Sequence, residues 1–213
     1  GVGGADTITL GSGTGVVDLS VGGRALTASI DLSGASDSLS AYTLVGGVTN
    51  DIKLGKGSYV VTGGSGNDTI AALGNGSVNI SGGGGADQFT IGNATATIAG
   101  GAGNDTVVVQ GSAAVTAALA GGANHFSAVN GTANSSYQIT AGAGGSDTIT
   151  LGNGTGVVDL SVGGRALTAS IDVSASNDLR SAYMITGGDS NSIKLGQGSY
   201  TVVGGTGNDT IAT

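Results

Sequence analysis

The stretch Gly63-Gly64-Ser65-Gly66-Asn67-Asp68-Thr69-Ile70-Ala71 decides the fold of this chain. Its glycines favour a tight loop, because glycine adopts positive φ angles without a steric penalty. The residues after the aspartate alternate polar and apolar side chains, as a short half-buried strand requires. The stretch therefore predicts a glycine loop, closed by one carboxylate, that leads into a strand with its apolar side chain turned inward.

The same pattern recurs along the chain with its aspartate in register. Three further stretches match G-G-x-G-x-D-x-U-x, where U is a large apolar residue: 82–90, 100–108 and 204–212. Two others lack only the second glycine, at 1–9 and 142–150. Six copies in register indicate a repeat architecture, whereas a single copy would be a weak signal.

Two periods are nested in the chain. Residues 1–72 return as residues 142–213 without a gap, so one unit is 141 residues long. Within a unit, Gly-Gly or similar pairs open segments spaced 17 to 24 residues apart, and these segments begin at residues 1, 22, 46, 63, 82, 100, 121, 142, 163, 187 and 204. About seven such segments fit each unit, which is typical of a solenoid. We interpret residues 1–213 as a single continuous solenoid segment cut from a longer chain, with 1–141 as one full unit and 142–213 as the start of the next.

Each predicted turn of about 20 residues has two halves. The first half is an aspartate loop and its strand. The second opens with another glycine phrase that carries no aspartate, such as residues 54–58, and continues into a second strand, such as residues 59–61. Because crossovers between parallel strands are almost always right-handed, the expected fold is an all-β, right-handed parallel β-solenoid, a β-roll or β-helix. In the two longest turns, 22–45 and 163–186, we expect a bulged turn or a short helix.

Composition excludes several classes of function. The net charge is −8, and the six basic residues are scattered, which disfavours a nucleic-acid partner. All 14 acidic residues are aspartate, and there is no cysteine to form a disulfide framework. No apolar run approaches the length needed for membrane insertion. His125 is the only histidine, and no cysteine and no HExxH motif accompanies it, so we expect no catalytic residue and no enzyme.

The six motifs resemble the RTX, or haemolysin-type, calcium-binding repeats of secreted bacterial proteins. The resemblance implies that Ca²⁺ binds between loops stacked one turn apart, each of which supplies an aspartate oxygen and backbone carbonyls, the hard oxygen ligands that calcium prefers. The implied ligands are Asp6, Asp68, Asp87, Asp105, Asp147 and Asp209, with loop backbone from Gly64, Gly66, Gly83, Gly85, Gly101 and Gly103.

The implied sites differ in completeness along the chain. The three consecutive loops that end at Asp68, Asp87 and Asp105 would enclose two full sites. The next loop, 121–126, has lost the aspartate, and the loop at 187–191 lacks the motif spacing. Asp6, Asp147 and Asp209 are therefore expected to bind partially or only with neighbouring loops. The alternative is that all these aspartates cap turns in a metal-free solenoid.

Electrostatics favours the metal over the metal-free alternative. Carboxylates stacked about 5 Å apart repel each other by roughly 1–3 kcal/mol per pair, which opposes folding without a cation.

Because the second loops carry no aspartate, calcium should line one edge only, unlike the family's fullest form, which has aspartate loops on both edges.

The resemblance also implies a function and a location. We expect a structural segment of a bacterial cell-surface protein, either an S-layer subunit or a giant repetitive adhesin, that is exported by type I secretion and folds and stiffens on binding calcium outside the cell. Neighbouring copies of the same protein are the expected partners. The alternatives are a calcium-binding accessory domain of a type I-secreted enzyme or toxin and, less favoured, an ice-binding solenoid.

Overall fold

The computed structural model describes residues 4–20, 26–142, 144–161 and 168–213, and these residues form 21 β-strands. The odd-numbered strands are β1 (Gly4–Thr9), β3 (Leu26–Leu32), β5 (Thr49–Leu54), β7 (Thr69–Ala72), β9 (Gln88–Ile91), β11 (Thr106–Val109), β13 (His125–Ala128), β15 (Ser146–Leu151), β17 (Thr168–Asp172), β19 (Ser190–Lys194) and β21 (Thr210–Ala212). The even-numbered strands are β2 (Thr14–Asp18), β4 (Ala41–Val45), β6 (Gly57–Gly64), β8 (Gly76–Gly84), β10 (Thr95–Ala102), β12 (Ala114–Ala118), β14 (Ser136–Thr140), β16 (Thr155–Asp159), β18 (Ala182–Thr186) and β20 (Ser199–Val203).

The chain alternates between two parallel sheets. The odd-numbered strands form an 11-stranded sheet, the odd sheet, and the even-numbered strands form a 10-stranded sheet, the even sheet. Each strand pairs in parallel with the strand two places later, so one strand of each sheet makes one turn. The predicted parallel β-solenoid is confirmed. The predicted openings at residues 1, 22 and 163 lie outside the described residues.

The core is thin because each strand turns every second side chain inward. In the odd sheet, Ile52, Ile70, Phe89 and Val107 stack in one buried column, each at most 1% exposed. The even sheet faces this column with buried aliphatic side chains of its own. Two layers of small and medium apolar side chains therefore fill the interior, which explains how a chain with only 3% aromatic residues buries a core.

The two long turns contain no helix in their described residues. Instead, the chain leaves β3 through a tight loop in which Ala35 N–H donates to Leu32 O and Ser40 N–H donates to Asp37 O. The matching loop after β17 repeats both bonds. Of the two forms expected for these segments, the structure therefore has the turn.

The second 141-residue unit stacks directly on the first. Strand β15 is the copy of β1, and it pairs in parallel with β13 of the preceding unit, with His125 aligned to Thr148 and Phe126 to Ile149. The unit boundary is therefore an ordinary step of the stack.

Candidate metal centre

The motif aspartates lie in one inward-facing column of the odd sheet, with one residue per turn, which we name the Asx column. Strand pairing aligns its eleven positions in this order: Asp6, Ala28, Asn50, Asp68, Asp87, Asp105, Asn124, Asp147, Ala169, Asn191 and Asp209. All six aspartates singled out by the sequence thus share the column. Only Asp68, Asp87 and Asp105 follow one another without interruption.

Side-chain oxygens join successive turns of the column. Asp68 N–H donates to Asp87 Oδ1 at 2.8 Å, and Asp87 N–H donates to Asp105 Oδ1 at 3.0 Å. The pattern begins at Asn50 N–H, which donates to Asp68 Oδ1, and it continues through Asn124 to Asp147. Each acceptor therefore satisfies a main-chain donor of the turn before it, so these side chains hold the loops in register.

Three asparagines belong to the column although the motif search passed over them. Asn124 accepts from Asp105 N–H at 2.9 Å, and Asn191 N–H donates to Asp209 Oδ1 at 3.0 Å. The loops at 121–126 and 187–191, which lack the motif aspartate or its spacing, therefore keep its hydrogen-bond geometry, and the expectation that calcium sites beside them are weak or partial stays a prediction. Their glycine loops are shorter, but each asparagine still stands two residues before an inward apolar residue, as Asp68 stands before Ile70.

The second carboxylate oxygens are buried without a hydrogen-bond partner. Among the described residues this holds for Oδ2 of Asp68, Asp87, Asp105 and Asp147, and each of these residues is only 1% exposed. An unsatisfied buried acceptor, if charged, carries a large desolvation penalty. A proton or a cation is therefore needed beside each of these oxygens.

The first glycine of the motif makes room for that oxygen. A Cβ added to Gly82 would lie 2.2 Å from Asp87 Oδ2 and 2.4 Å from the carbonyl oxygen of Gly100 in the next loop. Gly63 has the same surroundings, with Asp68 Oδ2 at 2.3 Å and the carbonyl oxygen of Gly82 at 2.5 Å from its added Cβ. At Asp68 and Asp87, two acceptor oxygens thus converge on one place, and neither carboxylate Oδ2 has a hydrogen-bond donor.

Asn50 shows what satisfies this place. Its Nδ2 donates to Gly63 O at 3.0 Å, and Gly63 opens the next loop as Gly100 does for Asp87. An amide N–H therefore occupies the position that Asp87 Oδ2 takes two turns further on. The aspartates present a carboxylate and a carbonyl instead, which is a donor set that suits calcium.

The loop glycines expected to supply backbone ligands stack closely on one another. A Cβ added to Gly83 would lie 2.0 Å from Gly64 O, and one added to Gly103 would lie 1.7 Å from Gly85 O. Gly66 O faces Gly85 in the same way, whereas Gly101 O accepts from Gly121 N–H. The described residues contain no group of three or more His, Cys, Asp or Glu side chains placed to hold a metal ion. A calcium ion here would therefore draw on these carbonyl oxygens as well as on the aspartates.

Burial disfavours ionisation of four aspartates of the column. It raises the pKa of Asp68, Asp105 and Asp147 above the ordinary aspartate value. For Asp87, burial together with the neighbouring charges of Asp68 and Asp105 raises the pKa to about 6. Without a counterion, these carboxyls therefore resist ionisation.

In calcium-depleted buffer, the free energy of unfolding is expected to rise as the pH falls from 7 to 4. Between these values the folded chain holds protons that the unfolded chain has released, so stability is lost as the pH rises through the raised pKa values. For Asp87 the loss amounts to roughly 3 kcal/mol. The exposed Asp18 and Asp31 have pKa values lowered mainly by serine hydroxyls, so their contribution is lost only in more acidic solution. Urea midpoints at each pH measure the trend, and midpoints that fall steadily on acidification would contradict it.

Comparison with models of known protein families, with curated protein sequences and with solved structures finds no match. No helix in the described residues is long and apolar enough to cross a membrane.

Proposed function

We propose that the chain is a structural segment of a secreted bacterial cell-surface protein, an S-layer subunit or a repetitive adhesin, which folds and stiffens on binding calcium. The observation that carries this proposal is the pairing of β13 with β15, which joins one unit to the next without a break. Further units of the same kind would extend the stack into a rod. Seven turns per unit advance about 34 Å at roughly 4.8 Å per turn.

The Asx column supports the role of calcium in this proposal. Asp68, Asp87 and Asp105 would hold the ions, together with backbone oxygens of their loops and of the neighbouring loops. Calcium, when bound, supplies the positive charge that the buried carboxylates lack. With millimolar calcium outside the cell and an assumed Kd near 10 μM, each site would add roughly 2.7 kcal/mol. Calcium is scarce in the cytosol, so the metal would act as a folding switch after export.

Circular dichroism of the chain, titrated with calcium at neutral pH, tests the switch. We expect a β signal that strengthens with calcium and weakens again on addition of chelator, because ion binding and folding share one free energy. The matched control is the triple variant Asp68→Asn, Asp87→Asn and Asp105→Asn, which keeps the Oδ1 acceptors and removes the charge. An unchanged spectrum for the unmodified chain, or an equal response from the triple variant, would remove calcium from the proposal.

Small-angle X-ray scattering on chains of increasing unit number tests the rod. Each added copy of residues 1–141 is expected to lengthen the largest dimension by about 34 Å, because the turns stack at the strand spacing. A dimension that grows much more slowly would indicate separate globules and would contradict a structural rod.

A further inference from the structure

A cavity of about 420 Å³ opens on the edge of the solenoid where each odd strand passes to the next even strand. We name this edge the second corner. Three successive turns line the cavity through Ala35, Leu54 and Leu73, and Lys53 and Lys56 stand among the lining residues. Its lining is mostly apolar, and Leu73 is 53% exposed. The cavity therefore fits an apolar group that carries a negative charge beside it.

The same edge also carries an exposed leucine on a fixed loop. Leu39 is 80% exposed, and its N–H donates to Asp37 Oδ1 at 2.8 Å. Ser40 N–H donates to Asp37 O, and Ser40 O accepts from Ser58 N–H in the next turn. These bonds fix the loop with the Leu39 side chain exposed to solvent, next to the Asp37 carboxylate. Little conformational entropy of the loop is therefore lost when Leu39 binds a partner.

One charged residue at each feature, Asp37 beside the leucine and Lys56 in the cavity, has no ion pair in the described part of the chain. Lys53, by contrast, lies 3.9 Å from Asp51. In a chain of net charge −8, an unpaired lysine beside an apolar cavity attracts an acidic apolar surface.

The second unit changes both features together. Lys56 becomes Gln197, and Leu39 becomes Arg180. Arg180 then pairs with Asp178, the copy of Asp37, at 2.8 Å within the same loop. Where Gln197 replaces Lys56, the aspartate has gained a cation of its own, whereas the other lysine of the cavity, Lys53, is kept as Lys194. This coupled change indicates that Asp37 and Lys56 interact as a charge pair.

We propose that two copies of this chain join edge to edge through their second corners, with Leu39 of each copy in the cavity of the other and Asp37 facing Lys56. The loop of Leu39 also lines the cavity through Ala35, so the leucine and the cavity share one edge of the solenoid. A twofold axis between two copies would therefore make both contacts at once. The proposal deepens the proposed function, since it assigns the contact by which neighbouring rods associate. A single such contact is small and gives a weak dimer. Only units that keep both Leu39 and Lys56 would add further contacts of this kind along a rod.

Sedimentation velocity of the whole 213-residue chain over a concentration series, with calcium and with chelator, tests the contact. We expect a reversible monomer–dimer equilibrium that Leu39→Ser weakens about tenfold or more, as loss of a buried anchor does. Leu179→Ser is the matched control, because Leu179 is 79% exposed on the second loop, in the unit where Gln197 replaces Lys56. A monomer at all concentrations, or an equal loss from both leucine variants, would overturn the proposal.

A double-mutant cycle tests the charge pair across the interface. Asp37→Asn keeps the acceptor for Leu39 N–H, and Lys56→Gln copies the second unit. Each single variant is expected to weaken the dimer about tenfold, and the double variant no more than either alone, because both remove one interaction. Additive losses would overturn the pairing. If the chain dimerises but its circular dichroism does not respond to calcium, the proposed contact is supported. That result would refute only the role of calcium in the proposed function.

Discussion

A Gly82→Ala chain is expected to lose most of its folded population, with the free energy of unfolding reduced by more than about 3 kcal/mol. The added Cβ would lie 2.2 Å from Asp87 Oδ2, 2.4 Å from Gly100 O and 2.9 Å from the ring of Phe89. None of these groups has room to retreat. Asp87 Oδ1 is held by Asp68 N–H, the carbonyl belongs to the next loop, and Phe89 is 1% exposed.

The same loop provides the control for this variant. Gly84 stands at the variable position of the motif, and its added Cβ would meet nothing closer than 3.5 Å. Gly84→Ala is therefore expected to change stability by less than about 0.5 kcal/mol. Urea unfolding followed by circular dichroism compares the two variants at equal calcium. Equal midpoints for the two variants would mean that the absence of a Cβ at Gly82 is not needed to make room for the Asp87 carboxylate.

An Asp87→Asn chain is expected to be more stable than the unmodified chain in calcium-depleted buffer at pH 7, by up to roughly 3 kcal/mol. The substitution removes a buried charge whose pKa lies at about 6 and keeps the Oδ1 acceptor for Asp68 N–H. The new amide would donate to Gly100 O as Asn50 donates to Gly63 O. Three asparagines already stand in this column, so the site accepts the shape.

Calcium should reverse the ranking of the two chains. The variant loses a carboxylate ligand at two neighbouring sites, so its stabilisation by calcium is expected to fall well below that of the unmodified chain. Asp51→Asn is the control, because Asp51 lies one residue beyond the column position and its side chain is 51% exposed. Thermal or urea unfolding with calcium and with chelator gives all six values. Destabilisation of Asp87→Asn in chelator would show that the carboxylate is already compensated within the protein.

Spacing and alternation were enough to predict most of the architecture. The glycine pairs predicted the turns, and the alternation around Ile70 and its equivalents predicted the inward face, because a strand has a fixed period of two. The motif does not predict the asparagines of the column, because it places the aspartate at a fixed distance after the glycines and the asparagines lie at other distances. Whether a side chain points inward depends on its distance from the next buried apolar residue along the strand. Asn124 and Asn191 stand two residues before such a residue, as Asp68 does.

The contacts between turns lay beyond sequence reasoning. No spacing rule shows that Asp87 Oδ2 faces a carbonyl of the next loop, since that depends on how two glycine loops nest. The exposed position of Leu39 was equally hidden, because the long turn could end in a helix as well as in the tight loop that the structure has. Local patterns determine a turn, whereas contacts between turns depend on how the turns stack.

The two alanines of the Asx column set how far cooperative order spreads. Alanine has no side-chain oxygen, so the run of bonds from Asn50 stops at Asp147 and starts again at Asn191, beyond Ala169. Because each turn touches only its neighbours, the cohesion of the stack is a sum of local terms, and these alanine turns contribute less to it. Under tension along its axis, a filament of such units would unfold first at the alanine turns, which recur once every 141 residues. The turns between them would stay folded.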